Sequence, residues 1–117
     1  MAFSSEQLEP GRAAFNRGEY FLAHELWEEV WRAVGDADER RDLQGLIQIA
    51  AGLHHLQQHR TAPAVGLLRK GLQKLSPRRQ DQLQVDRLAG QVARLLVELE
   101  APGTEMTRAA DFGHLKL

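Results

Sequence analysis

The chain of 117 residues carries 15 Lys and Arg against 16 Asp and Glu, a formal net charge of -1 that offers no general attraction for nucleic acid. Its length suits one domain with one core, residues 1–117, and is too short for two ordinary domains. The absence of cysteine excludes a disulfide framework, a thiolate metal site and a cysteine nucleophile.

Charge is unevenly spread along the chain. Residues 1–42 hold five arginines against ten carboxylates, whereas residues 60–87 hold seven basic residues against Asp81 and Asp86. The halves therefore pack with complementary solvated faces, or the basic middle segment meets a partner. The opening MAFSSEQLEPGR lacks the basic and then apolar regions of a signal peptide. No stretch is apolar enough to span a bilayer, so the expectation is a soluble cytoplasmic protein without membrane contact.

Apolar periodicity is helical throughout, and no segment shows the alternation of a strand. The fold class predicted is all-α, a compact multi-helix bundle of about five helices. The first helix reaches about Arg17, with Pro10 near its first turn and Gly18 as its stop. The second, Tyr20 to Val34, places Tyr20, Ala23, Trp27, Val30, Trp31 and Val34 on one face, the aromatic stripe reading as core. Gly35 ends it. Asp36 with Glu39 resembles a capping box opening a central helix near 39–58.

Within that helix, Leu43 to His59 contains no Asp, Glu, Lys or Arg. A helix without charge on any side belongs at the centre of its domain. A fourth helix starts at Thr61 and Pro63, carries Val65, Leu68, Leu72 and Leu75 on its apolar stripe, and breaks at Ser76 and Pro77. A fifth, roughly Gln80 to Glu98, buries Leu83, Leu88, Val92, Leu95, Leu96 and Leu99. Residues 101–117 lose the pattern and read as a tail, either loose or wrapped over the bundle through Met106, Phe112 and Leu115.

The candidate site lies between the second and third helices. His24 and Glu28 stand at i and i+4 in HELWE, with Glu25 nearby. On the central helix Gln44, Gln48 and His55 share one stripe, flanked by the small residues Gly45, Ala51 and Gly52, which admit a close neighbour. If the second helix covers that stripe, these side chains meet in one polar cluster. His24, Glu28 and His55 then suit a divalent metal, Zn²⁺, Mn²⁺ or Fe²⁺, with Gln44 and Gln48 on a ligand and Glu25 or Glu28 as base in a hydrolysis. HELWE nevertheless has Glu where the zinc-protease HExxH has its second His. The same cluster also suits a hydrogen-bond network that locks helix register, or a site for a small molecule or peptide. His54 reads as a packed or edge histidine and His59 as a helix-dipole residue. Arg69, Lys70 and Lys74 form a basic face without interleaved aromatic residues.

FNRGEYFLAHELWEEVW, LQGLIQIAAGLHHL and AVGLLRKGLQKL together resemble the small prokaryotic family catalogued as domain of unknown function 309, sometimes labelled predicted metal-dependent hydrolases. The likeness covers roughly residues 13–75. It implies a small helical bundle and signature positions at Asn16, Gly18, Phe21, His24, Glu25, Glu28 and Trp31, then Gln44, Gly45, Leu46, Ile47, Gln48, Ala50 and His55. RGEYFLAHELWEEV also resembles part of a tetratricopeptide hairpin, but no period of about 34 residues returns. Two functional readings stand: a buried polar site, as in a metal-dependent hydrolase, and a non-enzymatic interaction module whose partners meet the basic face around Arg69 to Arg79. The partner is then a small molecule or a protein.

Overall fold

The computed structural model describes residues 5–75, 85–101 and 115–117, and five α-helices account for most of them: α1 (Ser5–Asn16), α2 (Tyr20–Ala33), α3 (Ala37–Gln57), α4 (Thr61–Lys74) and α5 (Val85–Glu100). The fold is an all-α bundle, and no strand occurs among the described residues. The start of the predicted fifth helix, with Leu83, lies outside the described residues, as do Met106 and Phe112.

Local chemistry sets each helix end. At the end of α1, Gly18 takes a positive φ of 83° while the Gly18 and Glu19 amides donate to the carbonyls of Phe15 and Ala14. This is the paired closure of a Schellman motif. The end of α3 repeats it without glycine: His59 takes the left-handed φ of 60°, and the His59 and Arg60 amides donate to Leu56 and His55. Asp36 caps α3, its carboxylate accepting from the Glu39 amide at 2.9 Å. Between α2 and α3 the Arg40 guanidinium donates to the carbonyls of Trp31 (2.9 Å) and Val34 (3.0 Å) and lies 3.9 Å from the centre of the Trp31 ring. It adds a donor to the carbonyls at the end of α2 and stacks on the indole at once.

Pro10 falls in the second turn of α1 rather than the first, because the helix begins at Ser5. The indole of Trp27 docks against this turn. Its Nε1 donates to the Leu8 carbonyl at 3.2 Å, and a Cβ on Gly11 would lie 2.3 Å from that nitrogen. Phe15 packs edge-on to Tyr20 and at 5.8 Å from Trp27, so α1 and α2 share an aromatic core.

α3 runs through the centre. Leu43, Leu46, Ile47, Ile49, Ala50, Leu53 and Leu56 are all buried, pointing in most directions around the helix. α5 closes over the core with Val85, Leu88, Val92, Leu95, Leu96 and Leu99, and Leu115 and Leu117 are buried in the same core.

α3 and α4 approach each other backbone to backbone. A Cβ on Gly45 would sit 2.8 Å from the Gly71 carbonyl, and one on Gly71 would sit 2.7 Å from the Gly45 carbonyl and from Ile49 Cγ1. Gly52 faces Leu68 and the Ala64 carbonyl in the same way. Gly45 and Gly52 of the central helix thus receive α4. Gly71→Ala should therefore destabilise the chain by about 1–3 kcal/mol through overpacking. Gly66→Ala, where a Cβ meets nothing within 4 Å, should stabilise it by about 0.5–1 kcal/mol. Urea unfolding of both variants reads the opposite signs directly.

Candidate functional site

A pocket of about 250 Å³ opens where α2, α3 and α4 meet. α2 contributes His24, Glu28 and Trp31 at i, i+4 and i+7; α3 contributes Gln44, Ile47, Gln48 and Ala51; α4 adds Leu67. Each of the first two helices presents one stripe over two turns, so the walls face each other along roughly 10 Å. One part of the lining is apolar and another polar. The structure thus brings together four sequence-predicted residues, His24, Glu28, Gln44 and Gln48, and adds Trp31, which the sequence pattern assigned to the core stripe.

His24 is flanked by carboxylates on both ring nitrogens. Nε2 lies 3.6 Å from Glu28 Oε2 and Nδ1 lies 3.4 Å from Glu25 Oε2. These are ion-pair distances, and buried Nδ1 has no hydrogen-bond partner. Glu28 uses its other oxygen to accept from Arg32 at 3.1 Å. Gln48 Oε1 accepts from Lys74 Nζ at 3.0 Å, which leaves the NH₂ as the unengaged end of that amide. Glu28 and Gln48 therefore hydrogen-bond outward, to Arg32 and Lys74, while His24 and Glu28 stand at ion-pair distance from each other. Lys74 was legible only as part of a solvated basic face, since nothing local in the sequence signals a contact spanning 26 positions.

His55 does not line this pocket. It lies seven residues beyond Gln48, about two turns along α3. The Phe21 ring, itself exposed, stacks on His24 at 5.8 Å and meets His54 at 5.2 Å, while His55 stands 6.3 Å from His54. No group of three or more His, Cys, Asp or Glu side chains among the described residues is placed to hold a metal ion. The expected set of His24, Glu28 and His55 is thus not assembled, because the register of α3 carries its histidines past the end of the pocket.

The basic face is also partly engaged. Arg69 pairs with Glu100 of α5, Lys74 donates to Gln48, and Arg78 and Arg79 lie outside the described residues.

Residues 8–67 match the family described as Domain of unknown function (DUF309), and so just over half of the chain is covered. The chain belongs to the DUF309 family. All eight pocket-lining residues of this DUF309 domain fall within the matched segment. A similar protein of Aquifex aeolicus (strain VF5), named only as an uncharacterized protein, is 28% identical over 68 residues. That stretch is 58% of this chain and 20% of the relative, so the DUF309 chain spans about a fifth of the relative's length. No solved structure matches the chain. No helix among the described residues is long and apolar enough to cross a membrane.

His55 gives the site region a pH signature. Burial, with the positive charges of Arg60 and His54, holds its pKa below the usual 6.5, and its buried Nδ1 has no partner. The unfolded chain then takes up this proton first as pH falls. The contribution is complete above about pH 6.5 and is lost as pH drops toward the folded-state pKa. His55→Gln should flatten part of the decline in urea midpoint between about pH 7 and about pH 5.5; identical pH profiles for variant and parent would contradict a neutral His55 in the folded state.

Proposed function

We propose that the domain binds a compact small molecule in the α2–α3–α4 pocket, with His24 and Glu28 exchanging a proton with it and Gln44 and Gln48 orienting it. The observation supporting this reading is how the polar wall is satisfied. A cluster serving only to lock helix register would bond within itself, because each unmet buried polar atom costs about 1–3 kcal/mol. Here the hydrogen bonds of Glu28 and Gln48 run to Arg32 and Lys74, and buried His24 Nδ1, though at ion-pair distance from Glu25, has no hydrogen-bond partner. The volume of about 250 Å³ lies just under the usual range of about 300–1,000 Å³ for drug-sized ligands, which favours a small one.

An imidazole between two carboxylates is held in orientation by them. Such a group is placed to take a proton from a water or hydroxyl in the pocket, and this is the chemistry a hydrolysis needs. Metal dependence rests on narrower ground. His24 Nε2 and Glu28 Oε2 stand 3.6 Å apart, near the spacing of about 3.4 Å between two ligands of a tetrahedral Zn²⁺. The described residues supply no third His, Cys, Asp or Glu to that pair. A catalytic zinc ordinarily takes three protein ligands, so this donor set does not fit one, and proton transfer by His24 is the reading we adopt.

A fragment screen by ¹H–¹⁵N NMR on the full chain tests it. Compact hits should shift the side-chain amides of Gln44 and Gln48 and the Trp31 indole. Ala51→Leu, which fills the pocket from within α3, should abolish those shifts while far-UV circular dichroism stays unchanged. Fragments that bind the variant as well as the parent would overturn the pocket. In a parallel titration, Zn²⁺ binding that Glu28→Gln removes would restore the metal-dependent version.

A further inference from the structure

The pocket has two unlike ends. α2 and α3 run antiparallel along it, since the Trp31 indole meets the Arg40 carbonyl at one end and the Phe21 ring meets His54 at the other. His24, stacked on the same Phe21 ring, belongs to the second end, and Gln44, about one turn after Arg40, to the first. Two cations stand at the Gln44 end. The Lys74 stem packs on α3, where a Cβ on Gly45 would lie 3.2 Å from Lys74 Cβ, and its ammonium donates to Gln48 Oε1 at 3.0 Å. Arg41 donates to the Gln73 carbonyl at 3.2 Å, which brings its guanidinium to the residue before Lys74. Around α3, Arg41, Gln44 and Gln48 lie within about 60° of one another.

Neither cation meets a carboxylate among the described residues. Glu28, the carboxylate of the lining, stands on the α2 wall and pairs with Arg32 at 3.1 Å. The amides of the α3 wall are left as donors. An ammonium only donates, so Lys74 fixes Gln48 with its oxygen engaged and its NH₂ open, and the Gln44 side chain has no partner among the described residues. A half-buried positive charge behind two open amides favours an anion, whose hydrogen bonds there are charge-assisted. Ile47, Ala51 and Leu67 offer an apolar bed for the rest of a ligand. We propose that the ligand of this pocket is a small carboxylate, its anionic group held by the Gln44 and Gln48 amides and balanced by the charges of Lys74 and Arg41, its apolar body lying toward His24. This assignment rests on the small-molecule reading of the pocket and makes the substrate class a carboxylic acid that reacts at the end remote from its carboxylate. Lys74 is then a positioning residue that acts through Gln48.

The test titrates the full chain with benzoate and its near-isosteres benzamide and benzylamine, read by ¹H–¹⁵N NMR at the side-chain amides of Gln44 and Gln48. Benzoate should bind about tenfold more tightly than benzamide, and benzylamine more weakly than either. Lys74→Met keeps a stem against Gly45 and removes the charge. It should weaken benzoate about fivefold and leave benzamide within about twofold, a split that lost packing alone does not produce. Benzamide binding as tightly as benzoate, inorganic phosphate binding more tightly than benzoate, or equal losses for both ligands in Lys74→Met would overturn the carboxylate assignment and leave the pocket reading standing. If no compound moves the Gln44 and Gln48 amides, the pocket reading fails and takes the assignment with it. Should Lys74→Met not fold, the benzoate and benzamide comparison on the parent decides.

Discussion

The contact between Gly45 and Gly71 is the constraint on which the arrangement depends. Each glycine lies against the other's carbonyl, so the α3 and α4 backbones come as close as two helices can without side chains between them. That approach commits one side of the central helix to α4. The α2 side is held differently, by Arg40 at the end of α2 and by the docking of Trp27 on α1. The stripe of Gln44, Gln48 and Ala51 is left to line the pocket with α2. Lys74 reaches Gln48 from one turn beyond Gly71, so the polar wall is also supported by the tight contact.

What could be read from the sequence follows the range of the interactions concerned. The caps at Asp36 and Gly18, the breaks before Thr61 and the charge-free centre of α3 are decided by residues within a few positions of one another, and each is found where periodicity and turn chemistry place it. The wheel positions of His24 and Glu28 at the edge of the aromatic stripe were legible for the same reason. Periodicity gives an angle around a helix, but it does not say which neighbour lies at that angle. Gly45 and Gly52 admit a close neighbour, and nothing local in the sequence says that this neighbour is α4. His55 shares its angle with Gln44 and Gln48, yet sits too far along the axis to face His24's pocket. Trp31 belongs to the core stripe by angle and to the pocket wall in space, because Arg40 holds the indole on the border between the two.

The pocket and the family relation coincide. Every lining residue, from His24 to Leu67, falls inside the matched segment 8–67, whereas Gly71, Lys74, α5 and the Leu115–Leu117 segment lie beyond it. The chain divides accordingly into a portion that forms the walls and a portion that presses them into place. The second portion reaches the first through the shared apolar core and through specific contacts: a carbonyl against a glycine, an ammonium on an amide, and the Leu117 backbone held by Asn16.

The two tryptophans occupy sharply different surroundings, and light can distinguish them. Trp27 is wholly buried, its indole nitrogen bound to the Leu8 carbonyl and its ring beside Phe15. Trp31 is half-buried, lies under a guanidinium and forms part of the pocket wall. The protein therefore contains two intrinsic fluorophores, one shielded from water and responsive to the joining of α1 and α2, the other open to quenchers and responsive to whatever enters the pocket. Folding and occupancy can be followed separately in the emission of one unlabelled sample.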